Sequence, residues 1–278
     1  MNNDERKANI YFGLGEHLGE SLMYFDVNNV VGIFLQGSQK YGLDTLNSDI
    51  DTKLIVTPRV KELALNEQSI SKTHVRDNEE HTDWKDVRLY METFRKQNLN
   101  FLEILFTDFY WINPIYEHEW NRLVAMREDI AHMNPGRAVM SMKGLAQTKY
   151  KNIERFHPTH ADIFEKYHYN PKEVSHLVRI RDYIDRYIAG ESYKSCMTPK
   201  GEMFDLIMDL KLGKYSLEEV RKIADENITH IEKVADKYFA EVGNEEDLEI
   251  RELMNDVQHN IIRISLKKEI EKDAKEEK

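Results

Sequence analysis

Apolar and polar residues follow two different spacings in the first part of the chain. Apolar side chains recur every four residues within residues 4–25, which predicts an amphipathic helix that covers a sheet. The apolar run at 30–35 is rich in β-branched residues and shorter than a typical helix, so it predicts a buried strand. A second apolar run at 54–56 ends before Pro58 and predicts a neighbouring strand.

Shorter elements follow these two strands. Residues 60–70 predict a helix, and residues 73–75 and 82–87 predict short strands. A turn rich in aromatic residues comes next, at 107–116. The first part of the chain therefore predicts a small sheet with flanking helices.

Helical spacing dominates the rest of the chain, where no segment has a convincing strand pattern. Asn134 and Asn170 are each followed by Pro, as in a helix N-cap with Pro at the first helical position, and Glu173 adds a pattern that resembles a capping box. We predict an α+β fold in two domains. A small mixed β-sheet with flanking helices occupies residues 1–133, and an all-helical domain occupies residues 134–278.

Composition narrows the class of protein. The chain of 278 residues is 41% hydrophobic and 32% charged, and it contains no apolar stretch near the ~20 residues that span a bilayer. Its single cysteine rules out an internal disulfide framework, and we expect a cytoplasmic protein without a membrane partner. The net charge of −11 disfavours the wrapping of a long duplex but leaves room for a local basic groove.

The segment between the two apolar runs carries the candidate chemistry. Gly37 allows close approach of the backbone to a polyphosphate, and Ser38 adds a hydroxyl and an N–H group. If Asp49 and Asp51 lie on one strand, they project to the same face, where two carboxylates suit a hard cation such as Mg²⁺. The alternative is a β-hairpin with a polar turn, but the linker is longer than a hairpin needs.

The order of these residues resembles the signature of the DNA polymerase β-like nucleotidyltransferase superfamily. The matching positions are Gly37, Ser38, Gly42, Ser48, Asp49 and Asp51. The resemblance implies a nucleotidyltransferase domain at 1–133, with Gly37, Ser38 and Ser48 binding the nucleotide. It also implies a third acidic residue on a neighbouring strand, which would hold metal with Asp49 and Asp51.

Asp86 is our candidate for the third carboxylate, with Asp83 as the alternative. The residues after Asp86 resemble a bacterial and phage branch of the superfamily, linked by resemblance to RNA repair, in which an Asn-Pro-x-x-x-Glu segment follows. Here Leu99 stands in place of that Pro, and Glu103 matches the Glu. An exposed carboxylate at a strand end is the other interpretation of Asp86.

Basic residues of the helical domain suggest a second part of the site. Lys172, His176 and Arg179 are four and three residues apart and share a helix face, which is either solvated surface or a phosphate site. The resemblance favours binding of triphosphate or acceptor, because the branch has a Lys-x-x-x-His-x-x-Arg helix. Lys143 lies in a segment, 137–155, with five Lys or Arg residues and one Glu, and we add it to the nucleotide-binding candidates.

The resemblance implies transfer of an NMP from an NTP to an acceptor hydroxyl by a two-metal mechanism with Mg²⁺, or with Mn²⁺ in its place. The helical domain would close the cleft that holds nucleotide and acceptor. An RNA end is the first expectation for the acceptor, and a small molecule or a protein side chain is the second. A nucleotide-binding regulatory module without turnover is the alternative from another class. His157, His160 and His168 lack a Cys partner and follow no ordinary zinc spacing, so we expect no zinc site.

Overall fold

The computed structural model describes residues 3–44, 48–158 and 161–276, and its contacts divide the chain into two units. The first unit consists of residues 1–95, 100–133 and 247–278, and the second of residues 96–99 and 134–246. Of the three histidines that we expect to form no zinc site, His160 lies outside the described residues.

Five strands form one mixed sheet in the first unit. They are β1 (Val30–Gln36), β2 (Asp51–Val56), β3 (Ser71–Val75), β4 (His81–Asp86) and β5 (Tyr110–Ile112). Their order in the sheet is β3-β4-β2-β1-β5. The pair β2–β4 is parallel, and the pairs β1–β2, β1–β5 and β3–β4 are antiparallel.

Helices cover both the sheet and its ends. The helix α1 (Asn3–Ser21) packs Ile10 and Leu14 against apolar side chains of β1, β2 and β4 to form the main core. The other helices of this unit are α2 (Ser38–Tyr41), α3 (Val60–Ala64), α4 (Val87–Arg95), α5 (Leu99–Leu102), α6 (Glu117–Ala125), α7 (Arg127–His132) and α14 (Leu248–Glu276). Short 3-10 helices occupy Val27–Asn29, Glu103–Phe106 and Pro114–Tyr116.

The register of the parallel pair β2–β4 determines which residues of the two strands are neighbours. Thr52 lies opposite Thr82, and Val56 lies opposite Asp86. The buried hydroxyl oxygens of Thr52 and Thr82 are 3.1 Å apart, and His17 of α1 lies within 3.0 Å of both. The beginning of β2 therefore meets the beginning of β4, and the two strands end together.

The described residues of the second unit form helices and the loops between them. Asn134 caps the helix α8 (Pro135–Asn152) and Asn170 caps the helix α10 (Pro171–Ile188), as predicted. Their side chains accept from the N–H groups of Arg137 and Lys172. Glu173 forms no capping box; its carboxylate instead accepts from Lys149, 3.1 Å away. The helices are α8 (Pro135–Asn152), α9 (Ala161–Tyr167), α10 (Pro171–Ile188), α11 (Tyr193–Cys196), α12 (Glu202–Lys211) and α13 (Leu217–Val242).

The predicted fold class is confirmed: a mixed sheet near the N-terminus precedes a mostly helical region. The contacts divide the chain between residues 133 and 134. The last helix differs from the prediction, because α14 packs with the sheet-containing unit through α4 and α6. Among the described helices, none combines the length and apolar character that crossing a membrane requires.

Candidate active site at the start of strand β2

A sharp turn at Gly37 links β1 to the short helix α2. Gly37 has φ 81° and ψ −162°, a backbone conformation that residues other than glycine rarely adopt. Ser38 follows at once as the first residue of α2, and its Oγ lies 3.4 Å from the Oγ of Ser48. The structure thus brings together three of the residues predicted to bind nucleotide.

Contacts on both sides anchor this turn. The amide of Gln39 donates to the carbonyl of Ser48 at 3.1 Å. Arg6 of α1 donates to the carbonyl of Gln39 and to both carboxylate oxygens of Asp44. Neither Arg6 nor Asp44 belongs to a sequence pattern that marks a site, so these anchors could be found only from the structure.

Glu103 has a role at this turn that the sequence left open. Its backbone carbonyl accepts from the ammonium group of Lys40, in α2, and its carboxylate lies 4.0 Å from the same ammonium. Both side chains are buried. Glu103 therefore supports the helix that begins at Ser38.

Asp51 lies beside the glycine turn, because the register pairs it with Gln36, the residue before Gly37. A Cβ atom added to Gly37 would lie 3.8 Å from Oδ2 of Asp51. The backbone N–H of His81 donates to Oδ1 of Asp51 at 3.1 Å, and Nδ1 of His81 is 3.3 Å from the same oxygen. Asp51 is thus held at one oxygen and faces the turn with the other.

Asp49 departs from its predicted position. It lies before the first residue of β2 and is exposed, so the alternation of side chains along a strand does not place it with Asp51. The strand begins two residues later than the pattern required. Asp49 remains next to the candidate site through the chain, with Ile50 between it and Asp51.

The predicted convergence of Asp86 with Asp51 is wrong. Asp86 is the last residue of β4, whereas Asp51 lies next to His81, the first. Five residues of strand separate the two levels, about 16 Å at 3.3 Å per residue. The carboxylate of Asp86 is buried and accepts three hydrogen bonds from Arg88, one of them from its backbone N–H. Asp86 therefore stabilises the start of α4.

Asp83, the alternative, lies on the face of the sheet that Asp51 occupies. Asp51 and Lys53 are two residues apart on β2, and Lys53 lies opposite Asp83 in the register. The ammonium group of Lys53 is 3.8 Å from the carboxylate of Asp83 and donates to the side-chain oxygen of Gln36. Asp83 also accepts from the hydroxyl of Thr73 at 2.6 Å.

Lys53 is a site residue that the sequence analysis missed. Its ammonium group lies 4.7 Å from the centre of the Phe101 ring, and its side chain is 5% exposed. Burial lowers the pKa of Lys53 to about 8, although the carboxylates of Asp83 and Asp51 oppose that shift. No local pattern marks it, because Lys53 follows Asp51 and Thr52 at the polar beginning of β2.

In the second unit, the predicted basic residues of α10 do lie together. The charges of Arg179 and Lys172 on the same helix, and of Lys149 on α8 and Lys211 on α12, lie close enough to His176 to affect its pKa. Burial lowers the pKa of His176 well below its ordinary value, and these four cations lower it further. The sequence predicted three members of this cluster, and the packing of three helices adds the other two.

Lys143 belongs to a different contact. Its ammonium group is 2.6 Å from the carboxylate of Asp236 in α13. Gln147 and Tyr150, on the same face of α8, donate to acidic residues of α13 in the same way. This face of α8 forms a polar interface within the helical unit, so the structure gives Lys143 a structural partner rather than a place beside His176.

The described acidic residues could hold a Mg²⁺ ion that arrives with a nucleotide, but they do not form a three-carboxylate metal centre. Across residues 3–44, 48–158 and 161–276, no three His, Cys, Asp or Glu side chains are grouped so that they could hold a metal ion. The predicted three-carboxylate centre is therefore not formed. Mg²⁺ that arrives with a nucleotide needs only one or two carboxylates besides phosphates and water, and Asp51 with Asp49 could supply them.

No model of a known protein family matches the chain, and no curated protein does.

Proposed function

We propose that the chain is a nucleotidyltransferase that moves an NMP from an NTP to an acceptor hydroxyl. The observation that carries this proposal is the meeting of the Gly37 turn, Ser38 and Ser48 with the carboxylate of Asp51 at one end of the sheet. A glycine turn followed by N–H and hydroxyl donors suits polyphosphate. A carboxylate held beside it suits the cation that accompanies polyphosphate.

The chain's own residues have distinct parts in this proposal. The backbone at Gly37 and the hydroxyl groups of Ser38 and Ser48 bind the β- and γ-phosphates. Asp51, held by His81, and Asp49 would hold Mg²⁺, which neutralises charge on the phosphates and on the leaving oxygen. The acceptor hydroxyl gives its proton to solvent water as its oxygen forms a bond to the α-phosphorus. The bond from that phosphorus to the bridging oxygen breaks, and pyrophosphate leaves.

Asp83 takes the place of Asp86 in the proposal, as a charge on the face of Asp51 and not as a third metal ligand. It shares the face of Asp51 and pairs with Lys53, whose buried ammonium group keeps the charge of this face balanced. The cluster of Lys149, Lys172, His176, Arg179 and Lys211 in the second unit supports a phosphate-bearing substrate. An RNA end is the acceptor we propose, and a small hydroxylated molecule is the alternative.

The test is incubation of the protein with each labelled NTP, Mg²⁺ and either RNA or a cell extract freed of RNA. The proposal expects pyrophosphate release together with a labelled RNA product. A labelled small molecule or protein would keep transferase activity and change the acceptor. Tight NTP binding without pyrophosphate release would favour the second candidate, a nucleotide-binding module. The separation of Asp86 from Asp51 is the observation that favours this candidate.

A further inference from the structure

Glu80 contacts the backbone between the two aspartates of the candidate site. It is the residue before β4, and its Oε1 accepts a hydrogen bond of 3.1 Å from the N–H of Ile50. The next residue, His81, donates its own N–H to Asp51. Glu80, the last residue of the β3–β4 connection, and His81, the first residue of β4, therefore hold Ile50 and Asp51 in turn.

The other carboxylate oxygen of Glu80 is fixed from three directions. Arg76 and Asn78 donate to Oε2 at 2.9 and 2.8 Å, and Nε2 of His17 lies 3.0 Å from it. Burial raises the pKa of Glu80, but the hydrogen bonds from His17, Asn78 and Ile50 outweigh burial and hold the pKa below its usual value. These contacts restrict rotation of the carboxylate, so the oxygen that accepts from the N–H of Ile50 is held in place.

The side chain of Ile50 shows how closely this segment is fitted. Ile50 packs against the core formed by α1 and the sheet. A Cβ atom added to Gly13 of α1 would come within 2.6 Å of its Cδ1 atom. The backbone of Ile50 is therefore held by Glu80 and its side chain by the surface of α1.

We propose that Glu80 is a positioning residue for Asp49 and Asp51. By accepting the N–H of Ile50 it fixes the backbone from which both carboxylates project, so its loss misplaces them without removing any group that touches substrate. This role rests on the proposed transferase function. A misplacement of about 1 Å costs up to about a hundredfold in rate when reacting groups must be aligned.

The test compares Glu80→Ala and Glu80→Gln with the control Glu20→Gln. Glu20 accepts from Arg76 in the same network but does not touch Ile50. Glu80→Ala should lower kcat about 10- to 100-fold, with KM for the NTP changed by less than about threefold. Glu80→Gln keeps an oxygen for the Ile50 N–H but turns its NH2 group toward the donors of Arg76 and Asn78, so it should lose less kcat than Glu80→Ala. Glu20→Gln should retain kcat within about fivefold.

Hydrogen exchange of the Ile50 amide gives a readout that does not need turnover. Exchange should be faster in Glu80→Ala than in Glu80→Gln, and exchange in Glu20→Gln should be close to that of the unaltered protein. A Glu80→Ala protein with unchanged kcat and unchanged exchange would overturn the role while leaving the transferase function in place. So would equal loss of kcat in Glu80→Ala and Glu80→Gln that follows their melting temperatures. Absence of pyrophosphate release in the unaltered protein would instead remove the transferase function, and this role with it.

Discussion

The hydroxyl oxygens of Thr52 and Thr82 lie 3.1 Å apart across the parallel strands β2 and β4. This contact belongs to a register in which Asp51 lies beside His81, while Asp86 lies opposite Val56 at the far ends of both strands. A shift of β2 by even one residue would turn Thr52 away from His17 and Thr82 and out of the core. The register therefore decides which acidic residue of β4 can act with Asp51.

Asp83 and Asp86 should respond in opposite ways to replacement by Asn. Asp86→Asn removes a buried carboxylate from Arg88 and should lower the free energy of unfolding by about 2–4 kcal/mol, with kcat changed by less than about threefold. Asp83→Asn removes charge from the face of Asp51 and Lys53, so it should lower kcat about tenfold or more. Urea unfolding and pyrophosphate release measure the two effects. The reverse pattern would return Asp86 to the site.

Gly13 should tolerate no larger side chain, because a Cβ atom there would meet Ile50. Gly13→Ala should lower the free energy of unfolding by about 1–2 kcal/mol, since overpacking outweighs the better helix propensity of alanine, and it should also reduce transfer. Gly19→Ala is the matched control in the same helix, where a Cβ atom meets nothing within 4 Å. That variant should gain about 0.5–1 kcal/mol in thermal or urea unfolding. Equal effects at both positions would contradict the close contact.

His176 should stay neutral well below the pH at which an ordinary histidine protonates, because burial and four neighbouring cations lower its pKa. As the pH falls below about 6.5, the unfolded chain takes up a proton before the folded one, so the helical unit should lose stability in that range. NMR titration of the imidazole measures the pKa directly. Lys149→Ala or Lys211→Ala should raise it, and added tripolyphosphate should raise it further. An ordinary pKa that tripolyphosphate leaves unmoved would argue against a phosphate site.

The sequence predicted the elements of the fold better than their pairing. The apolar run before Gly37 and the Asn-Pro helix starts each have a local cause, and each forms where it was expected. The start of β2 at Asp51 and the parallel register with β4 depend on contacts between distant segments, among them His17 with Thr82. No local pattern encodes these contacts.

The same distinction explains the site. Gly37, Ser38, Ser48 and Asp51 are close in the chain and meet in the structure. Glu80 and Lys53 are recognised only when strands and connections are assembled, because a Glu in a polar turn and a Lys in a strand have no distinctive spacing. The basic residues of α8 suggested a nucleotide site, but the structure pairs Lys143 with Asp236, which lies about ninety residues further along the chain.

The most direct test of the central claim is pyrophosphate release by the unaltered protein and by Asp51→Asn, with Asp77→Asn as a control. Asp77 is an exposed carboxylate in the turn between β3 and β4, a pair of strands that β2 separates from β1 and its glycine turn. The account predicts that Asp51→Asn stays folded and loses at least about a hundredfold in kcat, whereas Asp77→Asn stays within about twofold. Unchanged release by a folded Asp51→Asn protein would contradict it.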